Sequence, residues 1–285
     1  MIHNKPRRLT SPLTVAVLTL LSACTTASSP SADPVDPHKF MLLAENALRV
    51  THPDYGFYPM PESEATVSGI SVSLTAYPIG AAMTGDIDSL PITVSHDRIS
   101  GTVQISPFPE TRLGHLLLAL GSTKTDTLET EDIEKHLSRI GSGVEVTAVA
   151  ELIKPMTETE IWRTTPKLPS PQRVLFPQRG AGAPLGNSIY CERTCSENSY
   201  VSSFKEWVST LRPQDGPILG AFGVTIEELK YIAQDGKISG LIYESHHSKS
   251  LLAISRHPKV KALHLVDVNL RCASDRTANC RPVED

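Results

Sequence analysis

Five cysteines and two short runs of neighbouring ionisable residues are the places in this 285-residue chain where side-chain chemistry could reside. Cys24 stands alone at the end of an apolar stretch, a thiol available for covalent modification. Cys191, Cys195, Cys272 and Cys280 make an even set, and an even set in a chain bound for an oxidising compartment predicts two disulfides. Three pairings are open. Joining Cys191 to Cys195 and Cys272 to Cys280 closes short loops worth roughly 2–3 kcal/mol each on the chain-entropy view. The two crossed arrangements close loops of about 80–90 residues worth nearer 4–5 kcal/mol, and they staple the C-terminal tail, so they are preferred. A tetrahedral zinc cage is the competing chemistry. The gaps within the two pairs, three and seven residues, do not match the usual zinc knuckle, so no metal is expected.

His246 and His247, with Glu244 and Ser245 before them, lie where a strand is expected to run into a helix, a place where binding loops often sit. They are the one candidate ligand loop; without further ligands brought from elsewhere they are two polar rings in solvent. His96 and Asp97 invite a triad, but both fall in an expected hairpin turn, where Asp is favoured for turn chemistry alone. No nucleophile elbow, zinc helix, phosphate loop or dinucleotide fingerprint occurs, so no catalytic residue and no cofactor are assigned.

The opening segment says where the chain goes. Lys5, Arg7 and Arg8 precede an apolar run from Leu13 to Ala23, and no acid interrupts it. Eleven helical residues span roughly 16 Å against a ~30 Å hydrocarbon core, so an export signal fits better than a permanent span. Leu21-Ser22-Ala23-Cys24 resembles the bacterial lipobox. The resemblance implies cleavage before Cys24, lipidation on its sulfur with palmitate-type chains, and residence on the extracytoplasmic side of the cell membrane. Each buried methylene contributes about 0.8 kcal/mol, and two or more chains hold a protein stably. An ordinary signal cut at an Ala-x-Ala-like site is the alternative. Residues 25–37, TTASSPSADPVDP, bury little and read as a tether.

Composition bounds the rest. The formal charge is −4, and without the three basic residues of the signal the body stands at about −7. No cluster of Lys and Arg offers a phosphate-binding surface, so nucleic acid is excluded as a partner. The apolar fraction of 40% is enough for a core, while 5% aromatics and 22 prolines suggest short elements and many turns, hence mixed α and β.

The elements that must position these residues follow from periodicity. Asp36-Pro37 starts a helix carrying Phe40, Leu43, Ala44, Ala47 and Leu48. Between Thr66 and Ile105, alternation at Ile70, Val72, Leu74, Ile92, Val94, Val103 and Ile105 predicts an antiparallel hairpin. HLLLALGSTKT reads as a strand, Thr130–Ile140 as a helix and GVEVTAVAEL as a strand. Residues 155–200 have no sustained period and read as a long central loop. Phe204, Trp207, Val208 and Leu211 mark a helix whose stripe belongs to the core. Thr225 and Glu228 open another helix that closes near Gly236, followed by strand ISGLIYE, helix SKSLLAISRH and strand VKALHLVDV.

Two strand–helix–strand units around a long excursion predict an α+β body, a ferredoxin-like antiparallel sheet with helices on one face, preceded by a short β-hairpin region. The expected organisation is a signal peptide at 1–23, a tether at 24–37, an N-terminal helix and hairpin at 38–110, and the α+β domain at 111–285.

GVTIEELKYIAQDGKISGLIYESHHSKSLLAIS and PKVKALHLVDV, with STKTDTLETEDIEKHL and GVEVTAVAEL before them, resemble the C-terminal extracytoplasmic domain of bacterial sigma-factor regulators over roughly residues 115–270. The lipobox stands where that family has a cytoplasmic segment and a membrane helix, and His246-His247 stands where its loop tends to carry glycine. The resemblance therefore implies sensing or partner binding outside the membrane, not a grip on a sigma factor. The expected function is a non-catalytic envelope lipoprotein that binds an envelope protein or a small ligand. An envelope hydrolase with an unrecognised site and a structural lipoprotein without a ligand are the alternatives.

Overall fold

The alternating run ISVSLTA at residues 70–76 shows how the first layer is made. In a computed structural model of the chain, which describes residues 36–66, 68–80, 89–120, 130–140, 144–163, 168–177, 182–188 and 199–269, it forms the centre of β2 (Gly69–Pro78). Ile70, Val72, Leu74 and Ala76 are buried while Ser71, Ser73 and Thr75 face outward, the two-residue period of a half-buried strand. β2 pairs antiparallel with β1 (Tyr55–Ala65) and β3 (Leu90–Asp97), and β3 pairs with β4 (Val103–Ile105). The region holds a four-stranded antiparallel meander where the sequence suggests a hairpin. β1, YGFYPMPESEA, is not expected because its two prolines hide the period; its register shifts between Pro59 and Ser63, a bulge on the edge strand.

Helix α1 (Pro37–Thr51) packs against β1 and β2. Asp36 accepts from the backbone N–H of His38 at 3.0 Å, and the proline sits in the first turn, as the sequence predicts. Phe40, Leu43, Ala44, Ala47 and Leu48 are all buried. Burying each of the three larger side chains contributes about 1.5–3 kcal/mol.

The second sheet has five strands in the order β7 (Gly186–Ser188), β6 (Arg173–Leu175), β8 (Lys237–His247), β5 (Glu145–Thr157), β9 (Val260–Asn269), and every pairing in it is antiparallel. Val146, Ala148, Ala150 and Leu152 of β5 join the main core on one face, whereas Val149 joins Ile242, Leu175, Leu113, Leu117 and Ile79 on the other. β5 is thus buried on both faces, which is why its sequence runs apolar instead of alternating.

Helices α3 (Thr130–Arg139), α5 (Tyr200–Thr210), α7 (Ile226–Asp235) and α8 (Ser248–Ser255) add side chains to the main core. The capping of α7 is as expected: Thr225 accepts from Glu228 N–H, and Gly236 closes the helix at φ +60°. Two short helices, α4 (Glu158–Trp162) and α6 (Gly216–Ala221), complete the set.

Two expectations are corrected. HLLLALG is not a strand: α2 (Arg112–Leu120) places Leu113 and Leu117 one turn apart against the second face of the sheet, so helices cover both faces and not one. The stretch after residue 155 is not all loop: β5 continues to Thr157, Thr157 and Glu160 form a capping box for α4, and β6 and β7 add to the sheet. The apolar signal around β6 is Val174, Leu175 and Phe176, too short to show a period, although all three are buried. By packing, the chain divides into Met1–Pro34 and Val35–Asp285, and the described residues all lie in the second. No described helix is long and apolar enough to cross a membrane.

Candidate functional site

α1 and α5 both pack on β7, and between the two helices the described surface opens into a groove of about 540 Å³. That volume lies within the usual range for ligand sites. Its apolar wall is Leu42, Leu43, Trp207 and Leu211. Leu42 is 44% exposed on a helix that buries Phe40, Leu43, Ala44, Ala47 and Leu48.

The groove is also lined by an ion pair. After α5, Pro213–Asp215 forms a 3₁₀ turn in which Asp215 accepts the backbone N–H of Arg212 at 2.8 Å and the Lys39 ammonium at 2.7 Å. Asp215 is 3% exposed, so this carboxylate is sealed under a partly exposed lysine and ties α1 to the turn after α5. The N-terminus of α5 is held by Ser199, which accepts from Ser202 N–H, and by Glu158 of α4, which accepts from the backbone N–H groups of Tyr200 and Val201. Both walls are therefore fixed.

The hydroxyls in the groove are already committed. Ser203 Oγ donates to the Tyr200 carbonyl at 3.0 Å and Thr210 Oγ1 to the Trp207 carbonyl at 2.7 Å. Neither is bonded to a base, the arrangement that would activate a hydroxyl as a nucleophile.

Trp207 meets its expectation in part, packing against the core without being buried in it. The stripe Phe204, Trp207, Val208, Leu211 reads as core, and Phe204, Val208 and Leu211 are buried, but Trp207 stays half-buried and lines the groove. Its spacing cannot reveal this, because the missing neighbour between α1 and α5 is a property of the helical layer. Leu42 was hidden in the same way.

His246 and His247 lie elsewhere. They end β8, where His246 pairs with Val146 and His247 with Glu145 along the backbone. His247 is exposed at the start of α8 and its side chain makes no capping bond. The side chain of His246, like Cys24, Cys191, Cys195, Cys272 and Cys280, lies outside the described residues. Asp97 accepts the backbone N–H of Ile99 at 2.7 Å and of Ser100 at 2.9 Å, which is turn chemistry. The bonds from Ser100 and then Ile99 hold its carboxyl below its ordinary value. The His96 ring lies tilted beside Phe40 with centroids 5.7 Å apart, and burial lowers its pKa. No group of three metal-ligating side chains occurs among the described residues.

A second, more polar cleft of about 330 Å³ is lined by Glu151, Lys154, Ser239 and Lys261. Lys261 pairs with Glu151 at 2.7 Å, and the buried His264 lies 3.7 Å from the same carboxylate. Ser239 Oγ donates to the Leu175 carbonyl at 3.2 Å and not to a base, so no nucleophile pair is formed there.

No protein-family model, no curated protein and no solved structure matches this chain.

Proposed function

We propose that the chain is an extracytoplasmic lipoprotein, anchored through Cys24, whose folded body captures an apolar segment of an envelope partner in the groove between α1 and α5. The observation that carries the binding part is the groove itself: a half-buried tryptophan and an exposed leucine line it from two capped helices, with the Lys39–Asp215 ion pair at its border. Interfaces draw most of their energy from a few such aromatic and aliphatic anchors in partly enclosed sites. The committed hydroxyls of the groove favour binding over hydrolysis.

The finer fold reading belongs with this proposal. β8, α8 and β9 form a strand–helix–strand unit whose two strands flank β5, and the run β9-β5-β8-β6 supports a ferredoxin-like arrangement with β7 added at its edge and α2 added on its second face. The same unit carries the likeness to the extracytoplasmic domain of sigma-factor regulators, and with it a sensing role.

A photo-reactive residue at position 42 tests the reading in intact cells, with one at Ile99, which is 86% exposed in a turn, as the control. A discrete adduct is expected from position 42 and none from position 99. Trp207→Ala lowers its yield about tenfold, the loss expected for removing one anchor of roughly 1.4 kcal/mol. Cys24→Ser releases the protein from membranes and removes the adduct. Equal labelling from both positions, or an adduct indifferent to Trp207, overturns the groove; unchanged membrane retention with normal processing of Cys24→Ser overturns the anchor.

A further inference from the structure

Arg173 begins β6, and its side chain is 5% exposed. Its Nε and Nη1 are sealed from solvent, and neither has a hydrogen-bond partner among the described residues. Directly opposite on β7 stands Ser188, whose Oγ is sealed and unpartnered in the same way. Side chains directly opposite in an antiparallel pair share a face, with Cβ atoms about 4.5–5.5 Å apart. Two orphaned buried groups are therefore neighbours.

The groups around them do not supply the missing partner. Glu244, Tyr77, Arg49 and Asp54 are the ionisable groups whose charges Arg173 feels. Arg49 is bonded to Glu45 and to the Phe57 carbonyl, and Asp54 accepts from Thr111 at 2.6 Å. Glu244 is half-buried, and no ion pair joins it to Arg173 within 4 Å. The Tyr77 phenol is pushed up to about 12, first by burial and then by its hydrogen bond with Tyr58, so it is neutral and cannot balance a cation. An uncompensated buried guanidinium costs several kcal/mol, and each such group calls for an explanation in an ion, a water or a function.

We propose that Arg173 and Ser188 form a binding site for a small oxyanion, the carboxylate or phosphate group of a ligand. A guanidinium matches the oxygen spacing of both groups, and a serine hydroxyl adds a donor beside it. The path in is the strand that carries Ser188: β7 is three residues long and stands at the sheet edge, where among the described residues β6 is its one strand partner and α1 and α5 pack on it. Opening β7 uncovers Arg173 and Ser188 together, and closing it seals the anion in. The site adjoins the wall of the groove between α1 and α5, because the Asn187 amide of β7 donates to the Tyr200 carbonyl and to Ser203 Oγ of α5.

Thermal unfolding of the full chain in inorganic phosphate and in acetate, each against sodium chloride at matched ionic strength, tests the site. A ligand that binds only the folded state raises Tm, and at ten times its dissociation constant the shift is roughly 3–5 °C for a body of this size. A saturable shift with phosphate alone identifies a phosphate site, and one with acetate identifies a carboxylate site. Arg173→Met, which replaces a buried charge by an apolar chain of similar length, abolishes the shift, and Ser188→Ala weakens the anion about fivefold. The absence of any shift beyond that of chloride overturns the proposal, as a buried water in the anion's place predicts. So does a shift that survives Arg173→Met or is unchanged in Ser188→Ala. A shift that appears only in Glu244→Gln also overturns it, because Glu244 then neutralises Arg173 itself.

Discussion

Gly56 shows how much one missing side chain can decide. It faces Tyr77 across the β1–β2 pair, and a Cβ added there would stand 1.9 Å from the Tyr77 ring. The ring lies over the glycine and stacks on Tyr58 with centroids 5.0 Å apart, so an aromatic covers the weak point of an edge strand. Gly56→Ala is expected to push the ring aside and lose this stack, destabilising the body by about 0.5–1.5 kcal/mol. In a Tyr77→Ala background the same substitution becomes neutral, and urea denaturation of the four proteins gives the coupling directly. Gly56 carries no mark in the sequence that separates it from other glycines. The cross-strand neighbour that makes it necessary is twenty-one residues away.

At the scale of elements, legibility follows how locally each one is specified. α1 and α7 are readable because cap and stripe lie within one segment: Asp36 with Pro37, and Thr225 with Gly236. β8 and β9 are readable as apolar runs between turn residues. α2 was misread because HLLLALG is apolar at nearly every position, and such a run fits a buried strand or a buried helix equally until its neighbours are known. β6 and β7, three residues each, hold their places by pairing with β8 and with each other, which no local pattern encodes. The same contrast predicts dynamics. β5 is flanked by β8 and β9 from Glu145 to Glu151, while β7 is a short edge. Amide hydrogen exchange is expected to be slowest in β5 and the facing part of β8, approaching global unfolding there, and orders of magnitude faster in β7. Equal protection of β7 and β5 contradicts the layered stability, and with it the opening route to Arg173.

For the whole molecule, the shifted groups that titrate between pH 4 and 8 act in one direction. Burial, the leading cause in each case, holds His52, His96 and His264 below the ordinary value of 6.5. A histidine lowered in the folded state is neutral there while the unfolded chain still takes up a proton, so stability is full above the unfolded pKa and is lost as pH falls through it. Asp97, Glu134 and Glu160 are lowered as well, by hydrogen bonds from Ser100, Arg256 and Thr157 respectively, and their contribution is lost only at lower pH, below their ordinary values near 4. Stability is expected to be level above about pH 7 and to fall on acidification from about pH 6.5, with a second decline below about pH 4.5. Tm measured from pH 4 to 8 checks this, and His264→Gln flattens the upper step. A body most stable near pH 5 rules the assignment out.

By itself the sequence determined the mixed α and β class, the cap and stripe of α1, the stripe of α5, the cap and closing glycine of α7, the alternation of β2 and β3, and the expectation of an exported, lipid-anchored chain, because each rests on residues close together in the chain. Tertiary structure alone decided that HLLLALG is a helix on a second face of the sheet, that Trp207 and Leu42 line a groove, and that Arg173 meets Ser188 in a sealed position. Those outcomes depend on which surfaces meet, and burial is a property of the neighbour as much as of the residue. The candidate histidines at 246 and 247 were conspicuous as letters, while the groove is built of leucines and a tryptophan that any core could use.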